Sequence, residues 1–174
     1  MKILYSLLLA TFVATTLHAE PKKLLVVTTT TGFRHSSIPT LEKVLAQLGK
    51  ESGAFTVDFV RQPPGKPANL KKDATAEQKA EFKTIEATWE NTALKTALQK
   101  LSLENLRNYD GVVFASTTGE LPIPDPQGLL DWVKAGHAFI GIHAASYTFH
   151  HWPDYIQMLG GEFDRHGPQV EWNV

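Results

Sequence analysis

In Gly141-Ile142-His143-Ala144-Ala145 a short apolar run ends on a histidine, and that residue type decides which chemistry the position can do. A strand that stops on a side chain flanked by Gly and Ala presents that group at the carboxyl edge of an α/β sheet. Where the group is Ser or Cys, it is a nucleophile for acyl transfer. Here it is an imidazole, and the chain contains no cysteine, so acyl transfer from this position is excluded. Proton transfer near neutral pH, metal ligation or a structural hydrogen bond remains.

Other candidates sit in similar loops. His35 follows Arg34 in Thr31-Gly32-Phe33-Arg34-His35-Ser36-Ser37, and Glu120 closes Thr117-Thr118-Gly119-Glu120. His150, His151 and His166 follow the fourth apolar run, and His137 precedes it. Each has a plain alternative. His143 is equally readable as a hydrogen-bonded structural residue, His35 as a helix cap and His166 as a turn residue. Of the adjacent His150 and His151 at most one points inward, and Trp152 packs as core or covers the crevice. Neutral imidazoles with one carboxylate suit Zn²⁺ or another borderline divalent ion, with His35, His143 and His166 as the candidate ligands. No tight spacing such as His-x-x-x-His supports that reading.

The elements that must position these groups alternate between strands and helices. Lys23 to Thr29 is apolar and β-branched on both faces, as in a strand buried from both sides of a parallel sheet. A helix is expected next, capped by Ser36 or Ser37, with Pro39 in its first turn and Gly49 at its end. Phe55 to Val60 and Val112 to Ser116 read as the second and third strands, and Asp125-Pro126 opens a helix before the strand that ends at His143. Pro153 starts a last short helix, closed by Gly160-Gly161. The order β-α-β, insertion, β-α-β predicts right-handed crossovers and a mostly parallel sheet.

Residues 61–100 read as the insertion, partly helical. A Pro-rich loop precedes a charged stretch from Leu70 to Glu90, and helical periodicity returns from Trp89 to Leu101. Gln169 to Val174 resembles a strand just beginning, so the domain is expected to be incomplete at its C-terminus. In this arrangement Arg34, His35, Glu120 and His143 all fall at carboxyl ends of parallel strands, on one crevice.

Composition narrows the partners. With 17 basic and 18 acidic residues the net charge is −1, and no basic patch with interleaved aromatics points to nucleic acid. A small, neutral ligand suits this balance. The first 19 residues carry Lys2 and then an uncharged apolar run from Ile3 to Leu17. That run is shorter than the roughly 20 residues of a membrane span and reads as a secretory signal peptide, cleaved near Ala19. The mature domain is then expected over 20–174, periplasmic or secreted, with no membrane contact after cleavage. Without cysteine, neither a lipoprotein anchor nor a disulfide is available. The sequence sets no oligomeric state.

Five stretches, taken in order, resemble the ThuA-like family, named for trehalose utilisation. They are Gly32-Phe33-Arg34-His35-Ser36-Ser37-Ile38-Pro39, Ser116-Thr117-Thr118-Gly119-Glu120, Gly141-Ile142-His143-Ala144-Ala145-Ser146, Trp152-Pro153-Asp154-Tyr155 and Gly160-Gly161-Glu162-Phe163. The resemblance implies a flavodoxin-like, class I glutamine amidotransferase-like three-layer sandwich. His143 stands where the amidotransferases carry their nucleophilic cysteine, so the fold carries over and glutaminase activity does not. Three positions depart from the family pattern: Tyr147 replaces an Asp, His137-Ala138 interrupts a glycine run, and Gly167 rather than Pro follows His166.

The function implied is carbohydrate catabolism on a keto-sugar or an oxidised disaccharide or glycoside, by isomerisation, elimination or hydrolysis. His143 would be the general base or a metal ligand, His35 its partner and Glu120 a second proton-transfer group. Arg34, Tyr147, His151 and Trp152 would contact substrate. The rival readings are a non-catalytic carbohydrate-binding domain built on Trp152, Tyr147, Phe149 and Tyr155, and a partner-binding domain using the charged insertion.

Overall fold

Strand β1 (Lys22–Val27) lies inside the sheet, as its two-sided apolar pattern predicts: Leu25, Val26 and Val27 are fully buried. The computed structural model describes residues 19–168. The expected signal segment 1–19, all but its last residue, and the expected strand at 169–174 lie outside the described residues. After β1 come α1 (Ile38–Ser52), β2 (Phe55–Val60), α2 (Ala76–Trp89), a π-helical turn (Glu90–Leu94), α3 (Lys95–Leu98), a 3₁₀ turn (Gln99–Leu101) and α4 (Leu103–Leu106). Then follow β3 (Gly111–Ala115), α5 (Pro126–Lys134), β4 (Ala138–Ile142), a 3₁₀ turn (His143–Tyr147) and α6 (Pro153–Leu159).

The four strands pair in the order β2-β1-β3-β4, every pair parallel. The chain steps outward from β1 to β2, then crosses back to place β3 on the other side of β1. That reversal is the topological switch point of a flavodoxin-like fold, and the loops above it diverge to leave a crevice.

Side-chain alternation sends the two faces of each strand into separate cores. On one face Val26, Val113 and Ala115 meet Leu41 and Leu45 of α1. On the other, Leu25, Val27, Val112 and Phe114 pack with Leu94, Leu98, Leu101, Leu106, Leu129 and Tyr155. Helices therefore cover both sides, giving three layers. The segment 61–100 divides accordingly: α2 is mostly exposed, while Trp89, Leu94, Leu98 and Leu101 enter the larger core.

Two helix-boundary details differ from the sequence expectation. Helix α1 continues past Gly49 to Ser52 and stops at Gly53, whose φ of 63° suits the left-handed C-terminal cap. Gly49 serves packing instead, because a Cβ there would lie 2.7 Å from the Phe55 carbonyl oxygen. At the other end Ser37 makes no side-chain cap, and Pro39 near the start of the helix suits a first turn whose amide needs no intrahelical acceptor.

Candidate functional site

The loops after β1 and β3 are tied together over the switch point. Thr30 bridges Thr118, the Thr31 amide donates to the Thr118 carbonyl at 3.0 Å, and the Thr118 hydroxyl donates to the Phe33 carbonyl at 2.8 Å. Gly119 permits this crossing. Its φ is 78°, and a Cβ on it would come within 2.2 Å of Thr31 Oγ1.

A second set of contacts braces the same loop from the insertion side. Lys66 donates to the carbonyls of Thr30, Thr31 and Gly32 at 3.0, 2.9 and 2.9 Å. Gln62 accepts from the Thr30 amide at 2.7 Å and donates to the Thr30 carbonyl at 3.1 Å. Arg34 turns the same way, donating to the Thr28 carbonyl at 2.7 Å and to Gln62 Oε1 at 3.3 Å. A residue expected to orient a substrate oxygen is thus engaged in supporting the loop, the other role open to it from sequence. Sequence reasoning missed Lys66 and Gln62. The available signal was a single cation held between Pro64-Gly65 and Pro67, directly after β2 at the carboxyl edge.

His143 leaves β4 in a left-handed conformation, φ 53°, at the strand-to-3₁₀ turn. Non-glycine residues adopt this region at a cost, and it aims the side chain off the sheet edge. Its Nδ1 lies 3.1 Å from Ser116 Oγ, on the residue just past β3. His35 comes from the braced loop, and its ring sits edge-on to His143, with centroids 4.5 Å apart at 74°. Partial burial, followed by the charge of His143, lowers the His35 pKa from its ordinary value. Two imidazoles so close resist being cations together, and the lowered pKa keeps His35 neutral near pH 7.

Both rings open onto a cavity of about 800 Å³ walled by Phe33, Thr118, Ala144, Ser146, Tyr147, Phe163 and the 166–168 segment. Three of its aromatics remain exposed: Phe33 at 62 %, Tyr147 at 39 % and Phe163 at 37 %. The far wall is fastened by the Phe163 amide, which donates to the Ser146 carbonyl at 2.9 Å, and by the His150–Glu162 pair. Tyr147 in turn lies edge-on to both His150 and Phe163.

The remaining candidates separate. His166 lines the cavity, with its Nδ1 donating to the Gly167 carbonyl at 2.7 Å. Glu120 is exposed and off the cavity lining, and its backbone carbonyl accepts from the Thr31 hydroxyl at 3.4 Å. His151 is exposed and also off the lining. Trp152 packs inward against Phe149 and Tyr155, centroids 5.1 and 5.6 Å away, as a core residue. Phe149 and Tyr155 are themselves buried, so neither offers a face to a sugar. Among the described residues no group of three or more His, Cys, Asp or Glu converges as a metal site needs. His35, His143 and His166, the candidate ligands, all line the one cavity.

The arrangement defines a class: a flavodoxin-like α/β protein with a histidine pair at the carboxyl edge of its parallel sheet. A sequence profile described as ThuA, trehalose utilisation, matches residues 23–174, and the chain belongs to the ThuA family. A role in carbohydrate utilisation follows from that membership. Comparison with curated proteins returns no match, and neither does comparison with solved structures. Among the described residues no helix is long and apolar enough to cross a membrane.

Proposed function

We propose that the chain is an exported carbohydrate-catabolism enzyme that binds a keto-sugar or oxidised glycoside in the cavity above β1, β3 and β4, and that His35 and His143 move protons on it. The observation that carries this reading is the edge-on imidazole pair opening onto a cavity rimmed by exposed aromatics. Aromatic faces suit the apolar faces of sugar rings, and a neutral imidazole is matched to removing a proton beside a carbonyl at neutral pH. The uncharged apolar run at Ile3 to Leu17 supports export to the periplasm or beyond.

A second reading is favoured by one specific observation, the exposure of Phe33, Tyr147 and Phe163 around the opening. A non-catalytic carbohydrate-binding domain needs those aromatics and not the imidazoles.

Thermal unfolding of wild type, His143→Ala and Phe33→Ala, with and without trehalose and a keto-disaccharide, tests the binding claim. Ligand at about a hundred times its Kd stabilises by about 2.7 kcal/mol. Stabilisation by the keto-sugar that falls in both variants supports the enzyme reading. Stabilisation lost in Phe33→Ala alone favours the binding domain, and none with any sugar overturns both. Metal content measured on the same samples decides the cofactor: stoichiometric Zn²⁺ in wild type, absent from His143→Ala, adds a metal-assisted step.

A further inference from the structure

We infer that Ser116 is a positioning residue that fixes His143 in the tautomer with its proton on Nε2, so that neutral His143 acts on the substrate as a hydrogen-bond donor and His35 as the base. The inference rests on the keto-sugar reading and deepens it by dividing the roles. It differs from the division expected from sequence, where His143 was the general base or a metal ligand and His35 its partner.

Ser116 is 1 % exposed, and the hydrogen-bond partner of its hydroxyl among the described residues is His143 Nδ1, at 3.1 Å. If Nδ1 carried the proton and donated, the hydroxyl hydrogen of Ser116 would be buried without an acceptor, at a recognised cost. If Ser116 donates, both atoms are satisfied and the imidazole proton must lie on Nε2. That nitrogen has no hydrogen-bond partner among the described residues, and His143 lines the cavity beside His35. The geometry that brings the two groups together is itself unusual. Ser116 and His143 each directly follow a strand, β3 and β4, and each is left-handed, with φ of 54° and 53°. Two such conformations on adjacent strands persist only where the surroundings impose them.

His35 is suited to the opposite role. Its ring meets Phe33 and His143 edge-on and lines the cavity, so a ring lone pair is free to accept from substrate. With a keto-sugar bound, the C–H bond beside the carbonyl breaks and its proton passes to a His35 nitrogen. The C–H electron pair forms the C=C bond of an enolate, and the carbonyl π pair moves to oxygen, where the Nε2–H of His143 stabilises it. Where the carbon that lost its hydrogen carries a hydroxyl, that O–H proton passes to the former carbonyl oxygen, His35 returns its proton to the former carbonyl carbon, and the new C=O forms at the hydroxyl-bearing carbon, so the isomerisation needs no other reagent.

The test is ¹⁵N-histidine NMR of the wild-type chain at about pH 8.5, where neutral imidazole dominates, with His143→Gln used to assign the His143 signals. The predicted spectrum has a protonated Nε2 and an Nδ1 of hydrogen-bonded acceptor type. Ser116→Gly, chosen because glycine accepts φ 54°, is predicted to shift that Nδ1 signal downfield, toward a free acceptor. A protonated Nδ1 in wild type overturns the inference, as does an Nδ1 signal that Ser116→Gly leaves in place. The wild-type spectrum decides the tautomer whether or not the variant folds. No sugar is present, so either result stands apart from the binding experiment above.

Discussion

Ser116 and His143 hold equivalent places on neighbouring strands: each is the first residue after its strand, each is left-handed, and their side chains meet at 3.1 Å. The pair joins the third and fourth strands at the edge where the cavity opens. Through it, the orientation of the imidazole is set by the sheet rather than by the loop that follows.

The bracing of the His35 loop is concentrated on Lys66. Lys66→Met leaves the Thr30, Thr31 and Gly32 carbonyls without their charged donor, and a hydrogen bond to a charged group contributes about 1.5–3 kcal/mol. The expected loss of stability is about 2 kcal/mol, read as a lower urea midpoint at unchanged slope. Amide exchange should rise at Thr31 and Gly32, while β4 keeps its protection.

Gly119→Ala should be more disruptive than its size suggests. The new methyl needs a φ of 78° and collides with Thr31 Oγ1, so strain and displacement together cost about 2 kcal/mol or more. Gly53→Ala, with a φ of 63° but open space around the methyl, should lose only the conformational part, about 1 kcal/mol. Comparing the two unfolding midpoints separates the crossing of the loops from the preference of a single residue.

Aromatics near the site divide into rim and core. Phe33→Ala should leave stability within about 0.5 kcal/mol, as expected of exposed positions, and weaken sugar binding roughly tenfold, the loss of one ring contact. Trp152→Ala should cost about 3 kcal/mol of stability, because its ring packs against Phe149 and Tyr155. Calorimetric unfolding and a sugar titration on both variants check the contrast.

Acid should weaken the fold through His35. Its folded-state pKa is lowered, first by burial and then by His143, so the unfolded chain binds more protons in the window just below the ordinary imidazole value. The contribution is complete above about pH 6.5 and is lost as pH falls through the depressed folded value. Urea midpoints of wild type and His35→Gln between about pH 8 and pH 5 should converge toward the acid end. Parallel curves would show that His35 does not titrate in this way.

The histidine pair was legible because it follows from chain topology. Strands read from apolar runs, with crossovers forced to be right-handed, must bring the residues after β1 and β4 to one edge, and Phe55 to Val60 matches its strand residue for residue. Glu120 and Trp152 lie in the expected loops but point elsewhere, because a side chain's direction past a strand end depends on local turn geometry that sequence spacing does not encode. Arg34 was open to two roles, and contacts with Thr28 and Gln62 decide for loop support. Lys66 reaches carbonyls more than thirty positions earlier in the chain, a pairing that exists only after the sheet has formed. Ser116 was visible as part of a motif, but nothing in a serine announces a positive φ.

When His35 takes the proton beside the carbonyl of a keto-sugar and His143 stabilises the oxyanion, that carbon exchanges its hydrogen with solvent. Incubating the chain with a keto-disaccharide in D₂O and following deuterium at the carbon beside the carbonyl by NMR tests it most directly. The account predicts incorporation catalysed by wild type and lost in His35→Gln, with a marked fall in His143→Gln. Wild type that binds the sugar without accelerating exchange, or exchange that persists in both variants, would contradict it.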